Sequence, residues 1–116
     1  MRPKLGTFKG MLEVEHADPE LATLEADPSR DSGFDGGTAK GIAKRFRATM
    51  QIIRTVSKIN KLHQYNGLRY HRVPGSNTEW GLRLNQKWRL IVEPSGEETE
   101  NEKMRILRID NHYGDN

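Results

Sequence analysis

Residues 80 to 92 constrain the fold more than any other stretch of this chain. In Trp80-Gly81-Leu82-Arg83-Leu84 and Trp88-Arg89-Leu90-Ile91-Val92 apolar and polar side chains alternate, and Asn85-Gln86-Lys87 separates the two runs. A period of two sends successive side chains to opposite faces of a strand, and a short polar break between two such runs signals a hairpin. Leu82 and Leu84 then share one face and Arg83 takes the other, while Arg89 follows Trp88 on the returning strand.

The flanking sequence supplies the remaining elements. Leu12-Glu13-Val14-Glu15 alternates like a half-buried strand. Asp18-Pro19-Glu20 combines an N-cap, a proline at the first helical position and an acid near the positive helix end. With Leu21, Leu24 and Ala26 at helical spacing, it predicts a short helix stopped near Asp27-Pro28. Ser29 to Gly37 reads as a polar, glycine-bearing loop delivering Thr38 as the next N-cap. Its Gly-Gly-Thr-Ala-Lys-Gly end lacks the spacing of a phosphate loop, and no strand leads into it.

From Thr38 to Lys58, Ile42, Phe46, Met50, Ile53 and Val56 recur three or four apart, an apolar stripe that must be buried against something. A polar connection, Asn60 to Asn66, leads to a short strand at Leu68 to Val73 that ends at Pro74-Gly75. Pro94 to Glu102 reads as an acidic loop, and Met104 to Ile109 as the strand that closes the sheet. Strands and helices in this order predict a single α+β domain over residues 1–116, with frayed termini.

Charge is distributed unevenly. Between Thr38 and Leu90 there are 12 Lys and Arg against Glu79 alone, whereas residues 11–37 carry 8 acids and 1 base. Residues 91–116 carry 7 acids and 3 bases. A basic centre of this kind attracts a polyanion, and Lys44, Arg47, Arg69, Arg72 and Lys87 are its candidate nucleic-acid contacts. The plainer alternative is a solvated basic helix face balanced by the acidic segments. The chain has no cysteine, which rules out disulfides and thiolate ligands and fits a reducing cytoplasm. It offers no membrane-length apolar run, so a soluble protein is expected.

Guanidinium groups fixed on a sheet stay charged and offer forked donors to phosphate, so Arg83 and Arg89 are candidates to brace a phosphodiester. The competing reading pairs them with a helix or lays them over the sheet edge. Of the four histidines, His71 lies just before the Pro-Gly turn, and His112 with Tyr113 lies just after the last strand. Histidine exchanges protons near neutral pH, as activation of a ribose hydroxyl requires. Tyr113 has the chemistry to stack on a base, donate a proton or anchor the chain end. The histidine spacing matches no metal motif, so neither metal nor cofactor is expected.

The run Trp80-Gly-Leu-Arg-Leu-Asn-Gln-Lys-Trp-Arg-Leu-Ile-Val resembles the sheet signature of the RelE/ParE superfamily of bacterial toxins, in particular its HigB-like branch, whose members read close to W-x-I-R-[IV]-N-x-x-W-R-L. His71 stands where that branch has the histidine of its H-x-L-K-G segment, and Ile106 to Gly114 is similar to its closing I-L-E-I-V-D-Y-H. The resemblance spans nearly the whole chain, with residues 80–92 as its specific part. It implies a RelE-like fold, a small, mainly antiparallel sheet packed against two N-terminal helices.

The function implied is that of a type II toxin, a ribosome-dependent mRNA endoribonuclease in which the 2′-hydroxyl attacks the adjacent phosphate without a metal. The resemblance gives Arg83 and Arg89 the phosphate, and gives His71, His112 and Tyr113 proton transfer and stacking. Implied partners are mRNA, the ribosome and a cognate antitoxin, helix-turn-helix and HigA-like, with operator DNA reached only through the antitoxin complex. Two alternatives remain open, a ParE-like inhibitor of DNA gyrase and a non-catalytic module that binds antitoxin or operator. The chain departs from the family pattern at the K-G-D-R-K-G loop, replaced here by Pro74-Gly75-Ser76-Asn77-Thr78 without its cations. The closing Tyr-His order is reversed to His112-Tyr113, and Asn111 stands where an aspartate is usual.

Overall fold

In the computed structural model, which describes residues 12–30 and 41–111, the alternating and helically spaced runs become five strands and two α-helices. Strand β1 (Glu13–His16) leads into α1 (Pro19–Ala26) and then α2 (Ile42–Thr55). Two 3-10 turns (Ile59–Gln64 and Asn66–Leu68) precede β2 (His71–Arg72), β3 (Trp80–Arg83), β4 (Arg89–Ser95) and β5 (Lys103–Asp110). The sheet order is β1-β5-β4-β3-β2, antiparallel throughout except for the parallel pairing of β1 with β5. This is an α+β fold in which a mainly antiparallel sheet packs against two N-terminal helices.

Helix α1 begins as its residues dictate. The Asp18 carboxylate accepts the Glu20 N–H at 2.9 Å, Pro19 opens the first turn, and Leu21 and Leu24 are buried. The α2 stripe of Ile42, Phe46, Met50 and Ile53 is fully buried, and meets Leu82, Leu84, Leu90, Val92, Met104 and Ile106 from one side of the sheet. Each such side chain contributes about 1.5–3 kcal/mol by leaving water, so this single layer of contacts dominates the fold.

Three boundaries differ from the sequence expectation. Helix α2 starts at Ile42, because Gly41 sits at φ 87° in the left-handed region; the expected cap Thr38 lies outside the described residues, as do residues 1–11 and 112–116 with the expected fraying. At its other end Val56 is extended, which lets Val56, Ile59 and Leu62 turn back under the core. The strand expected over Leu68 to Val73 shrinks to His71–Arg72, since Arg69 at φ 46° interrupts it and Leu68 and Tyr70 turn into the core.

The third difference is the acidic loop. Strand β4 runs on to Ser95, with Pro94 tolerated because β3 begins opposite Val92 and has no residue alongside it. The turn then closes through Gly96 at φ 68°, where a Cβ would stand 2.3 Å from the Asn101 carbonyl oxygen. Glu102 is buried rather than solvated, and its carboxylate accepts the backbone N–H groups of Ile59 and Glu98, each at 2.7 Å.

Candidate functional site

Sheet register decides which side chains share a face. Leu82 pairs with Leu90, and both are fully buried against the helices. Their neighbours Arg83 and Arg89 are themselves directly opposed, so both guanidiniums leave from the side turned away from the helices. His71 pairs with Gly81, two residues before Arg83, and therefore shares that side. Extending the rows, Ile91 pairs with Arg108 and Arg89 with Asp110. One row across the sheet thus reads His71, Gly81, Ile91, Arg108, and the next reads Arg83, Arg89, Asp110.

The hairpin turn holds the arginines in place. The Asn85 side-chain oxygen accepts the N–H groups of Lys87 and Trp88, both at 2.8 Å, which fixes the turn. The Asn85 carbonyl then collects both guanidiniums, Arg89 Nη1 at 2.7 Å and Arg83 Nε at 3.4 Å. Arg89 Nη1 also donates to the Trp88 carbonyl at 3.2 Å. The shared acceptor draws both guanidiniums to the turn end of the hairpin, with Asp110 opposite Arg89 on the neighbouring strand.

One strand away, His71 Nδ1 lies 2.6 Å from the Arg69 carbonyl oxygen. A carbonyl only accepts, so Nδ1 carries a proton and the lone pair of the neutral ring sits on Nε2. The left-handed backbone at Arg69 places that carbonyl. Tyr70, next in sequence, is no rival for proton transfer: burial foremost, and then the charges of Glu97 and Glu102, push its hydroxyl well above the ordinary tyrosine value.

Carboxylates border the face. Arg108 reaches across β4 to Glu79 with two hydrogen bonds, at 2.8 and 3.3 Å, and its Nε lies 3.6 Å from Asp110. The bond to Glu79 outweighs partial burial and raises the Arg108 pKa further. Ile91, beneath that crossing, is 1% exposed although it is no part of the helix-side core. Glu79, Arg108 and Asp110 were not singled out from the sequence. The alternation of β5 around Ile106 and Ile109 was the available signal for Arg108.

The other candidates are dispersed. Lys87 is exposed in the hairpin turn, and Arg69 is exposed at the start of β2. Arg72 pairs with Trp80, whose ring packs on the core, so it belongs to the helix-side rim. Lys44 is exposed on α2, in the opposite layer. Arg47 lies between the two helices, where its guanidinium donates to the carbonyls of Leu24 (2.8 Å), Asp27 (3.0 Å) and Arg30, closing the end of α1. Strand β5 ends at Asp110 opposite Arg89, while His112 and Tyr113 lie outside the described residues.

Sequence reasoning also passed over a polar cluster on the helix side. Glu25 takes His16 Nε2 at 2.7 Å and Arg54 through two bonds at 2.6 and 3.0 Å, beside a groove of about 400 Å³ lined by Glu25, Arg47, Ala48, Gln51 and Arg54. Its cations are already engaged within the protein. Among the described residues no group of three His, Cys, Asp or Glu is arranged to hold a metal, and no helix is long and apolar enough to cross a membrane.

Fold and face together define a class, a small α+β domain whose helix-backed sheet carries two opposed arginines and a histidine on its far side. Comparison of the chain with protein-family models, with curated proteins and with solved structures gave no match in any of the three.

Proposed function

We propose that this chain is a HigB-like toxin of the RelE/ParE superfamily, a cytoplasmic ribosome-dependent mRNA endoribonuclease restrained by a cognate HigA-like antitoxin. The observation that carries the reading is the direct cross-strand pairing of Arg83 with Arg89, with His71 on the same side one strand over. That constellation has the components for metal-free cleavage of RNA. His71 Nε2 takes the proton of a ribose 2′-hydroxyl as its oxygen attacks the adjacent phosphorus. Negative charge builds on the non-bridging oxygens beside Arg83 and Arg89, and the bond to the 5′-oxygen breaks. The products are a 2′,3′-cyclic phosphate and a 5′-hydroxyl, the latter taking its proton from His112 or Tyr113.

Cleavage of mRNA on translating ribosomes tests this. The wild-type chain is expected to cut, and His71→Ala and Arg83→Ala each to slow cleavage by about 100-fold or more. Undiminished cleavage by a His71→Ala/Arg83→Ala/His112→Ala chain would remove the site. Inhibited DNA supercoiling with intact mRNA would instead favour a ParE-like gyrase poison, and no growth arrest without the antitoxin a non-catalytic module.

A further inference from the structure

The far face explains how a phosphodiester is held, but not how a strand of RNA is led to it. The segment from Ile59 to Thr78 leads out of the core into β2, the edge strand of the sheet, and contains no acidic residue. Lys61, Arg69 and Arg72 are exposed there, and among the described residues their side chains have no ion-pair partner. Between them stands Tyr65, 38% exposed and the one large apolar side chain in the open among the described residues.

This edge is built rigidly. His63, Tyr70 and Trp80 form a contiguous aromatic group, with Tyr70 stacked on Trp80 at 4.7 Å and His63 edge-on to both at 5.1 and 6.0 Å. The group ties the first 3-10 turn to β3, and Arg72 pairs with Trp80 in register. The Tyr65 carbonyl also accepts the Leu68 N–H at 2.9 Å, so the second turn is fixed to the same support. An exposed ring among unpaired cations on a stiff base is what a flexible polyanion with stackable faces needs. A single-stranded nucleic acid has both properties, whereas a duplex hides its bases.

We infer that the β2 edge is a binding ledge for single-stranded RNA, with Tyr65 stacking on a base and Lys61, Arg69 and Arg72 holding flanking phosphates. From the ledge the strand passes over β2 to His71, and from there to Arg83 and Arg89. The inference deepens the ribonuclease reading by assigning the path of its substrate, yet the ledge is measurable without any cleavage.

The test is fluorescence anisotropy, without ribosomes, on a labelled single-stranded RNA of about 12 nucleotides and on the same sequence in a duplex. The single strand is expected to bind more tightly than the duplex. Tyr65→Ala should weaken it by about fivefold or more, while Tyr65→Phe retains the affinity. Lys61→Ala and Arg72→Ala should each lower the slope of log affinity against log salt by about 0.7. Tyr65→Ala binding like wild type, a duplex binding as tightly as the single strand, or a polyglutamate peptide competing as well as RNA would each overturn the ledge. Intact single-strand affinity with no ribosomal cleavage would uphold the ledge and sink the nuclease, so the two readings fail separately.

Discussion

The two sides of the sheet treat arginine differently. Toward the helices, Arg47 is consumed by three backbone carbonyls and Arg54 by the Glu25 carboxylate, which His16 also contacts. On the far side Arg83 and Arg89 share the carbonyl of Asn85, Arg89 donates to the Trp88 carbonyl as well, and Arg108 crosses β4 to the Glu79 carboxylate. Toward the helices the arginines tie α2 to α1, whereas on the far side they brace the hairpin turn and cross between strands. A count of cations along the chain cannot separate these uses, since only folding decides which guanidiniums meet an acceptor.

The difference is measurable as stability. Phe46→Ala, which empties the centre of the helix-side core, is expected to cost about 3–5 kcal/mol in urea unfolding. Glu102→Ala strands the buried Ile59 N–H and removes the acceptor of the Glu98 N–H, and should cost about 2–3 kcal/mol, against about 0.5 kcal/mol for the exposed neighbour Glu97→Ala. Arg47→Ala should lose about 1–2 kcal/mol through the freed end of α1. Arg83→Ala should stay within about 0.5 kcal/mol, and a loss as large as that of Arg47→Ala would erase the contrast between the layers.

The smallest effect concerns acid. Burial works to raise the Glu25 pKa, but the hydrogen bonds and charges of Arg54 and His16 prevail and hold it below its ordinary 4.5. A carboxylate depressed in the folded state adds stability that is complete above its unfolded pKa and disappears as pH falls through the folded one. Wild type should therefore lose more stability than Glu25→Gln as urea midpoints are followed downward from pH 5, in the range below that ordinary value. Parallel curves for the two chains would show that the cluster contributes nothing.

What the sequence disclosed was local. The hairpin, the Asp18 cap and the α2 stripe each depend on residues a few positions apart, and each stands where alternation, capping and helical spacing put it. The opposed arginines were half legible: alternation gave Arg83 its side, but its pairing with Arg89 needed the register that Asn85 sets. The rest depends on distant partners. Glu102 is buried because Ile59 offers an N–H from 43 positions away, and Arg47 is spent because α1 ends beside it. Arg69 in the left-handed region, which truncates β2 and orients His71, had no signal in composition or spacing.

The parallel seam between β1 and β5 joins Glu13 to Lys103, 90 positions apart. A nascent chain therefore holds β1 in reserve until β5 has been translated, and closure of so large a loop is slow and cooperative. Loss of β5 would unmoor β1 as well, so these two strands stand or fall together.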